Sequence, residues 1–369
     1  MVDSMSESKR LILESSSGDL GSWMVERGHP SYHGRQVLRW IFDRRAENFA
    51  GMSDLPKRLR DELSAEWSIF STTIALHDVS PDGTEKLLLA CHDGRRIECV
   101  LMAEADRRTV CISTQVGCGM GCVFCASGLK GVERNLTRGE IVEQVLRLRN
   151  LLPPDERLTN LVVMGMGESL ANLDHLIAAL DWICSPDGLG MGQRRVTIST
   201  VGLPEKMRKL AEMDRQYHLA VSLHAPTEEL RNTLVPINAR VGLGAVIEAA
   251  DLYFQRSGRQ VTFEYVLLGG INDRGEDALA LANLLDSRKA HVNLIPYNPV
   301  AGLRFERPTR EAIERFEGIL RTRGISVSRR KTKGRQIDAA CGQLRRRWDL
   351  ATTEAGARST RMVEPSSQS

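Results

Sequence analysis

Three cysteines in the run Cys118-Gly-Met-Gly-Cys122-Val-Phe-Cys125 are the residues of this chain best suited to hold a metal centre. Three thiolates presented from a short loop with two glycines can wrap one inorganic cluster, and Cys is the usual ligand of iron–sulfur centres. They lie too close together for mutual structural disulfides. Zinc is the alternative, but zinc takes a fourth ligand at recognisable spacing, and no second C-x2-C or nearby H-x3-H appears. Three ligands on a four-iron cluster leave one iron open, and an open position is what metal catalysis uses. The expectation is a 4Fe–4S cluster on Cys118, Cys122 and Cys125.

Such a loop needs a scaffold. At 369 residues the chain accommodates one domain of barrel size and a smaller appendage. A hydrophobic content of 42% and a charged content of 26% are ordinary for a globular protein. No run reaches the roughly 18 apolar residues of a membrane span. Met1 to Lys9 is polar, with no apolar segment of a secretory signal, so a cytoplasmic location is expected. Eight cysteines in such a chain do not read as a disulfide framework; Cys91, Cys99 and Cys184 read as small buried hydrophobes.

Periodicity divides the chain. A flexible leader is expected over 1–19 and a helical accessory region with its linker over 20–82, where Ser53 or Asp54 would cap a short helix. A β-rich connector over 83–108 contains two strands around Asp93-Gly94. From Thr109 strand-like and helical runs alternate: strands at Thr109–Ser113, Asn160–Met164, Arg195–Thr200, Leu219–Leu223, Val261–Leu267 and His291–Ile295, with a further one at Ile325–Ser328. Six βα units imply a parallel sheet with right-handed crossovers, and they are fewer than a closed barrel needs. The expected fold is α/β, a partial, open βα barrel over 109–345, followed by a disordered tail over 346–369. Ligands in such folds sit at the carboxyl ends of the strands.

C-x3-C-x2-C after the first strand of a partial βα barrel resembles the radical S-adenosylmethionine superfamily, and Phe124 matches the aromatic residue of its loop. The resemblance implies that the open iron binds S-adenosylmethionine and that the reduced cluster cleaves it to a 5′-deoxyadenosyl radical. The flanking text is more specific. Cys111-Ile-Ser-Thr-Gln-Val-Gly-Cys118, Arg134-Asn-Leu-Thr137, GMGES at 165–169, SLHAP at 222–226, IPYNP at 295–299 and AACGQL at 339–344 closely resemble the RlmN/Cfr family of RNA adenine methyltransferases. Gly34-Arg-Gln-Val-Leu-Arg-Trp40, Met52-Ser-Asp-Leu55 and Asp82-Gly-Thr-Glu-Lys86 agree, so the likeness runs from about residue 20 to 345.

That resemblance implies two S-adenosylmethionine molecules per turnover. One methylates Cys341; the other yields the radical that takes a hydrogen from the S-methyl group. The resulting carbon radical adds to the adenine ring, Glu98 accepts the ring proton, and Cys111 attacks the Cys341 sulfur, leaving a transient Cys111–Cys341 disulfide. The family likeness also assigns Gly167, Glu168, Ser199, Ser222, Leu223, His224 and Asn298 to S-adenosylmethionine. On pattern alone, Cys341 and Cys111 read as core cysteines, and Glu98 could be the polar side of an alternating strand. The resemblance implies C2 of an adenine in 23S rRNA, and also tRNA, as target, with flavodoxin as electron donor. Alternatives are C8 methylation, a glycyl-radical activase, or an iron–sulfur RNA-binding regulator. Ser169 stands where the family usually has proline, and Arg335-Gln336 depart from its usual lead-in to Cys341. The basic cluster Arg329, Arg330, Lys331, Lys333 and Arg335 reads as a phosphate-contacting edge or a solvated surface.

Overall fold

The computed structural model describes residues 9–300, 302–330 and Ile337. Cys341, the tail and most of the basic cluster lie outside the described residues.

The amino-terminal region holds β1 (Arg10–Leu11), α1 (Ser17–Glu26), α2 (Tyr32–Phe42), α3 (Lys57–Glu66) and β2 (Trp67–Ser68), with β1 and β2 paired in parallel. Residues 10–19, expected as part of a flexible leader, belong to the fold. Ile12 and Leu13 are buried, and Ser16 and Asp19 form a capping box that satisfies the first turn of α1. A polar prefix hid this short apolar anchor. The short helix expected after Ser53 or Asp54 instead begins beyond Pro56, whose fixed φ suits a helix start, while Asp54 accepts the Trp40 indole N–H. These helices are not a loose appendage. Their Trp23, Ile41, Leu59 and Trp67 join the same hydrophobic core as the barrel, and Arg149 reaches across to donate to Ile41 O at 2.9 Å.

The strands β3 (Thr73–Val79), β4 (Thr84–Ala90), β5 (Arg96–Glu104) and β6 (Arg107–Cys111) run antiparallel to one another. The connector thus begins at Thr73 rather than residue 83. After β6 come a small hairpin of β7 (Gln115–Gly117) and β8 (Val132–Asn135), then α4 (Arg138–Asn150), β9 (Asn160–Val163), α5 (Leu173–Cys184), β10 (Val196–Thr200), α6 (Pro204–Ala211), β11 (His218–Ser222), α7 (Glu228–Leu234), α8 (Asn238–Val241), α9 (Leu243–Ser257), β12 (Val261–Leu267), α10 (Gly275–Leu284), β13 (Ala290–Pro296), α11 (Arg310–Thr322) and β14 (Ser326–Arg329).

One ten-stranded sheet runs in the order β14-β13-β12-β11-β10-β9-β6-β5-β4-β3. From β6 to β14 every neighbour is parallel, giving seven strands of an open barrel, with β14 supplying the further strand. The connector is continuous with the barrel wall. Alternation along each strand sends Ile198, Val221, Phe263 and Val292 into the hydrophobic core shared with the helices. Their neighbours Ser199, Ser222, Glu264 and Asn293 face the concave side, and the site is built there.

Candidate active site

The cysteine loop hangs between the β7–β8 hairpin and the end of α7. Gly117 has φ +77°, and a Cβ there would collide with the Gly131 carbonyl, so only glycine turns the chain into the loop. Cys118 N–H donates to Gly131 O at 2.9 Å and Val123 N–H to Leu234 O at 3.1 Å. Phe124 meets the His224 ring edge-on, with centroids 5.0 Å apart. Cys118, Cys122 and Cys125 all line one cleft. Burial pushes the Cys118 thiol up to about 12 and the Cys122 thiol well above its ordinary value. Bare protein therefore keeps them protonated, whereas bound iron would stabilise the thiolates. Among the described residues no group of three His, Cys, Asp or Glu side chains could hold a single metal ion. Three cysteine thiols gathered on one cleft are the donor set of an iron–sulfur cluster.

The opposite wall comes from strand ends, as the fold rule requires. Gly165, Gly167 and Glu168 follow β9. A Cβ on Gly167, at φ +104°, would stand 2.6 Å from Gln115 Cβ and 2.8 Å from its N. Glu168 is buried and fixed on both oxygens: Oε1 accepts from Leu170 N–H at 3.0 Å and Oε2 from Val201 N–H at 2.8 Å. Burial pushes its carboxyl above the usual carboxylate range, and these donors oppose that rise. The two backbone donors thus fix the carboxyl in the cleft wall. Gly167→Ala is expected to weaken S-adenosylmethionine binding by about tenfold or more, since backbone strain of order 1–3 kcal/mol falls on the binding loop; equilibrium dialysis of the variant measures it.

Ser199 and Ser222 sit on adjacent strands with their hydroxyls 3.4 Å apart. His224 occupies a left-handed conformation at φ +61°, held by Asn272, whose amide donates to His224 O at 2.8 Å. Its Nδ1 accepts the Val266 N–H at 3.1 Å, which assigns the proton to Nε2. Burial, and then the nearby Arg231, lower its basicity to about 3, so the ring stays neutral at working pH. Asn298 Oδ1 accepts from Arg307 at 3.0 Å, which orients its amide at the cleft.

Leu223 differs from this group. It is fully buried in the main hydrophobic core and does not line the cleft, because it follows Ser222 on the opposite face of the strand direction. Only its backbone takes part, donating to Glu264 O at 3.0 Å. Arg330 also differs from the expected surface edge: it lines the cleft, with Nη1 3.8 Å from Met164 Sδ.

Glu98 and Cys111 lie on the connector and first barrel strand. Val100 pairs opposite Cys111, and Cys111 opposite Val162. Glu98, two residues from Val100, therefore shares the concave face with Cys111 as a diagonal neighbour, about 7–8 Å away by sheet geometry. Cys111 packs with Val100 and Met166, in the loop that carries Gly167. Ser113, leaving β6, donates its hydroxyl to Glu98 O at 2.7 Å and accepts the Met166 N–H at 2.8 Å. Sequence reasoning missed Glu264, buried in the cleft with Asn293 donating to Oε2 at 2.8 Å. The signal was there: Thr262, Glu264 and Val266 form the inward set of β12.

Residues 112–282 match the radical SAM superfamily profile, and residues 12–69 match the ribosomal RNA large subunit methyltransferase N-terminal domain. A probable dual-specificity RNA methyltransferase RlmN from Rhodopirellula baltica is 54% identical over 338 residues, spanning 92% of this chain and 91% of the relative. The protein of the same description from Geobacillus kaustophilus is 44% identical over 328 residues, spanning 89% and 90%.

The chain belongs to the RlmN family.

A crystal structure of a radical SAM methyltransferase from Sphaerobacter thermophilus agrees in fold, with a TM-score of 0.88 at 43% identity over 91% of this chain and 99% of that one. The RlmN-type chain is thus a radical SAM RNA methyltransferase, with the open α/β barrel, 4Fe–4S cluster and S-adenosylmethionine that its sequence implies. Its substrate is RNA. The RlmN amino-terminal match starts at residue 12, where buried Ile12 and Leu13 begin the fold. Among the described residues no helix is long and apolar enough to cross a membrane.

Proposed function

We propose that this enzyme methylates C2 of an adenine in 23S rRNA, and of an adenine in tRNA, in the cytoplasm, with a flavodoxin as electron donor. The observation that supports this reading is the shared face of Glu98 and Cys111 beside the cleft: Cys111 packs with Met166 and Met164, and Met164 lines the cleft with the three cysteines and Glu168. An aromatic adenine carbon is a poor nucleophile, so the methyl group must reach it by a radical route.

Cys118, Cys122 and Cys125 would hold the cluster, and Gly167, Glu168, Ser199, Ser222, His224 and Asn298 would bind S-adenosylmethionine. When bound, the cluster supplies the electron that splits S-adenosylmethionine into a carbon-centred radical. This chain's residues do the rest. Cys341 carries the methyl group and joins it to the ring; Glu98 takes the ring proton; Cys111 attacks the Cys341 sulfur and frees the methylated base. The apolar cluster that includes Phe124 and Tyr297 lines the cleft beside the cysteine loop.

Nucleoside mass spectrometry of 23S rRNA and tRNA from a strain lacking the host enzyme and expressing this chain tests the reading. The expected product is 2-methyladenosine in both RNAs. 8-Methyladenosine instead would overturn the regiochemistry, and unmodified RNA the target. In the same assay Cys341→Ala is expected to stop methylation while cleavage of S-adenosylmethionine persists; methylation by that variant would remove Cys341 from the mechanism.

A further inference from the structure

One register row crosses the connector and enters the barrel: Asp78 on β3, Lys86 on β4, Val100 on β5, Cys111 on β6 and Val162 on β9 pair in succession. Glu98 stands one step along β5 from this row, on the same face. Lys86 Nζ lies 3.2 Å from Glu98 Oε1 and 3.7 Å from Asp78 Oδ2. The Lys86 and Glu98 side chains are only 3% and 4% exposed. Asp78 Oδ2 is buried and makes no hydrogen bond among the described residues. An ammonium so placed would be costly to bury without the carboxylates around it.

We propose that Lys86 is a positioning residue that keeps the Glu98 carboxylate ionised and directed across the sheet to the adenine, with Asp78 holding Lys86 from behind. This rests on the reading of Glu98 as the proton acceptor. A carboxyl buried without a cation holds its own proton and cannot take another. Lys86 lifts that constraint: when the ring C–H bond breaks, its electron pair stays with the ring and the proton passes to Glu98. Afterwards the neutral Glu98 is left beside an ammonium that still faces Asp78, so the pair resets without stranding a buried charge.

Among the described residues the nearest other titratable groups on this face are Asp78 from β3, Arg96 two residues from Glu98 on β5, and Cys111 from β6, with Glu264 and Arg330 farther round the cleft. The opposite face of β5 carries Cys99, which feels Glu143 and Arg147 of α4. Those groups are screened from Lys86 by the sheet.

The test uses reconstituted holoenzyme, anaerobic, with an RNA substrate, comparing Lys86→Met, Lys86→Arg and Glu98→Gln. For Lys86→Met, methylated RNA is expected to fall about a hundredfold at neutral pH, the scale of losing a general base. A covalent protein–RNA adduct should accumulate, because the step that fails follows adduct formation. Reductive cleavage of S-adenosylmethionine should continue. The acid limb of the rate profile should move to higher pH, and Lys86→Arg should restore both yield and profile. A Lys86→Met enzyme that loses adduct and S-adenosylmethionine cleavage together would show a merely structural ion pair and overturn the proposal. So would an unchanged rate and profile. The reading of Glu98 is judged separately: full product from Glu98→Gln would remove it, whatever Lys86→Met does.

Discussion

Replacing Cys118 by alanine is expected to strip the reconstituted enzyme of its iron and to abolish both cleavage of S-adenosylmethionine and methylation of RNA. The remaining thiols of Cys122 and Cys125 are two ligands where a cluster with one open iron uses three. Burial disfavours ionisation of the Cys122 thiol unless iron is bound. Losing one thiolate removes both a bond and part of the charge that makes the site fit a cluster. A fall in rate of more than about a thousandfold, or about 4 kcal/mol, is expected. Iron analysis and visible absorption measure cluster content, and chromatography of 5′-deoxyadenosine measures radical generation. Fold should survive, because the loop is tied by backbone bonds at Gly131 and Leu234 and not by the thiol. Full iron content in the variant would sink the ligand assignment.

Cys111→Ala is expected to fail later. Its thiol is 6% exposed and packs with Val100 and Met166, so the substitution removes little volume and costs about 1 kcal/mol or less of stability. S-adenosylmethionine cleavage, Cys341 methylation and attachment to RNA should proceed, but nothing then attacks the Cys341 sulfur. A covalent protein–RNA species should therefore build up to near one per enzyme while free methylated RNA falls by about a thousandfold. Denaturing gels with labelled RNA and peptide mass spectrometry read both quantities. Cys99→Ala is the control: Cys99 lies on the opposite face of β5 in the hydrophobic core, and losing it should affect stability alone. Repeated turnover by Cys111→Ala without adduct would exclude Cys111 as the resolving thiol.

Sequence patterns located much of this architecture because the signals were local. The strand at Val261–Leu267 was legible from its run of β-branched and aromatic residues, and it was found with those bounds. The loop glycines were legible because Gly117 and Gly167 occupy backbone conformations other residues avoid. Motif resemblance brought Glu168, His224 and Asn298 forward, and the fold puts them on one cleft. Other features were illegible because they depend on pairing between distant segments. No local pattern says that β3 to β5 would continue the barrel wall, since an antiparallel connector could equally pack as a separate layer. Lys86 looked like the end of a turn motif, and only the register with Val100 brings it to Glu98. The Leu223 side chain points into the core while its motif neighbours Ser222 and His224 line the cleft, because a motif runs along the chain whereas a strand alternates its faces.

Ser113 is a small neutral residue with no role in bond making, yet its hydroxyl fastens the Glu98 strand to the Met166 loop while Gln144 clasps its backbone at both ends, at 2.8 and 3.0 Å. The Glu98 strand and the Gly167 loop are therefore tied through one small hydroxyl, beside the backbone bonds from Gly165 to Ile112 and from Thr114 to Met166. A designer moving this catalytic hairpin to another barrel would have to transplant that rivet along with the reactive side chains. Otherwise the strand and the loop would drift out of alignment with every reactive group still present.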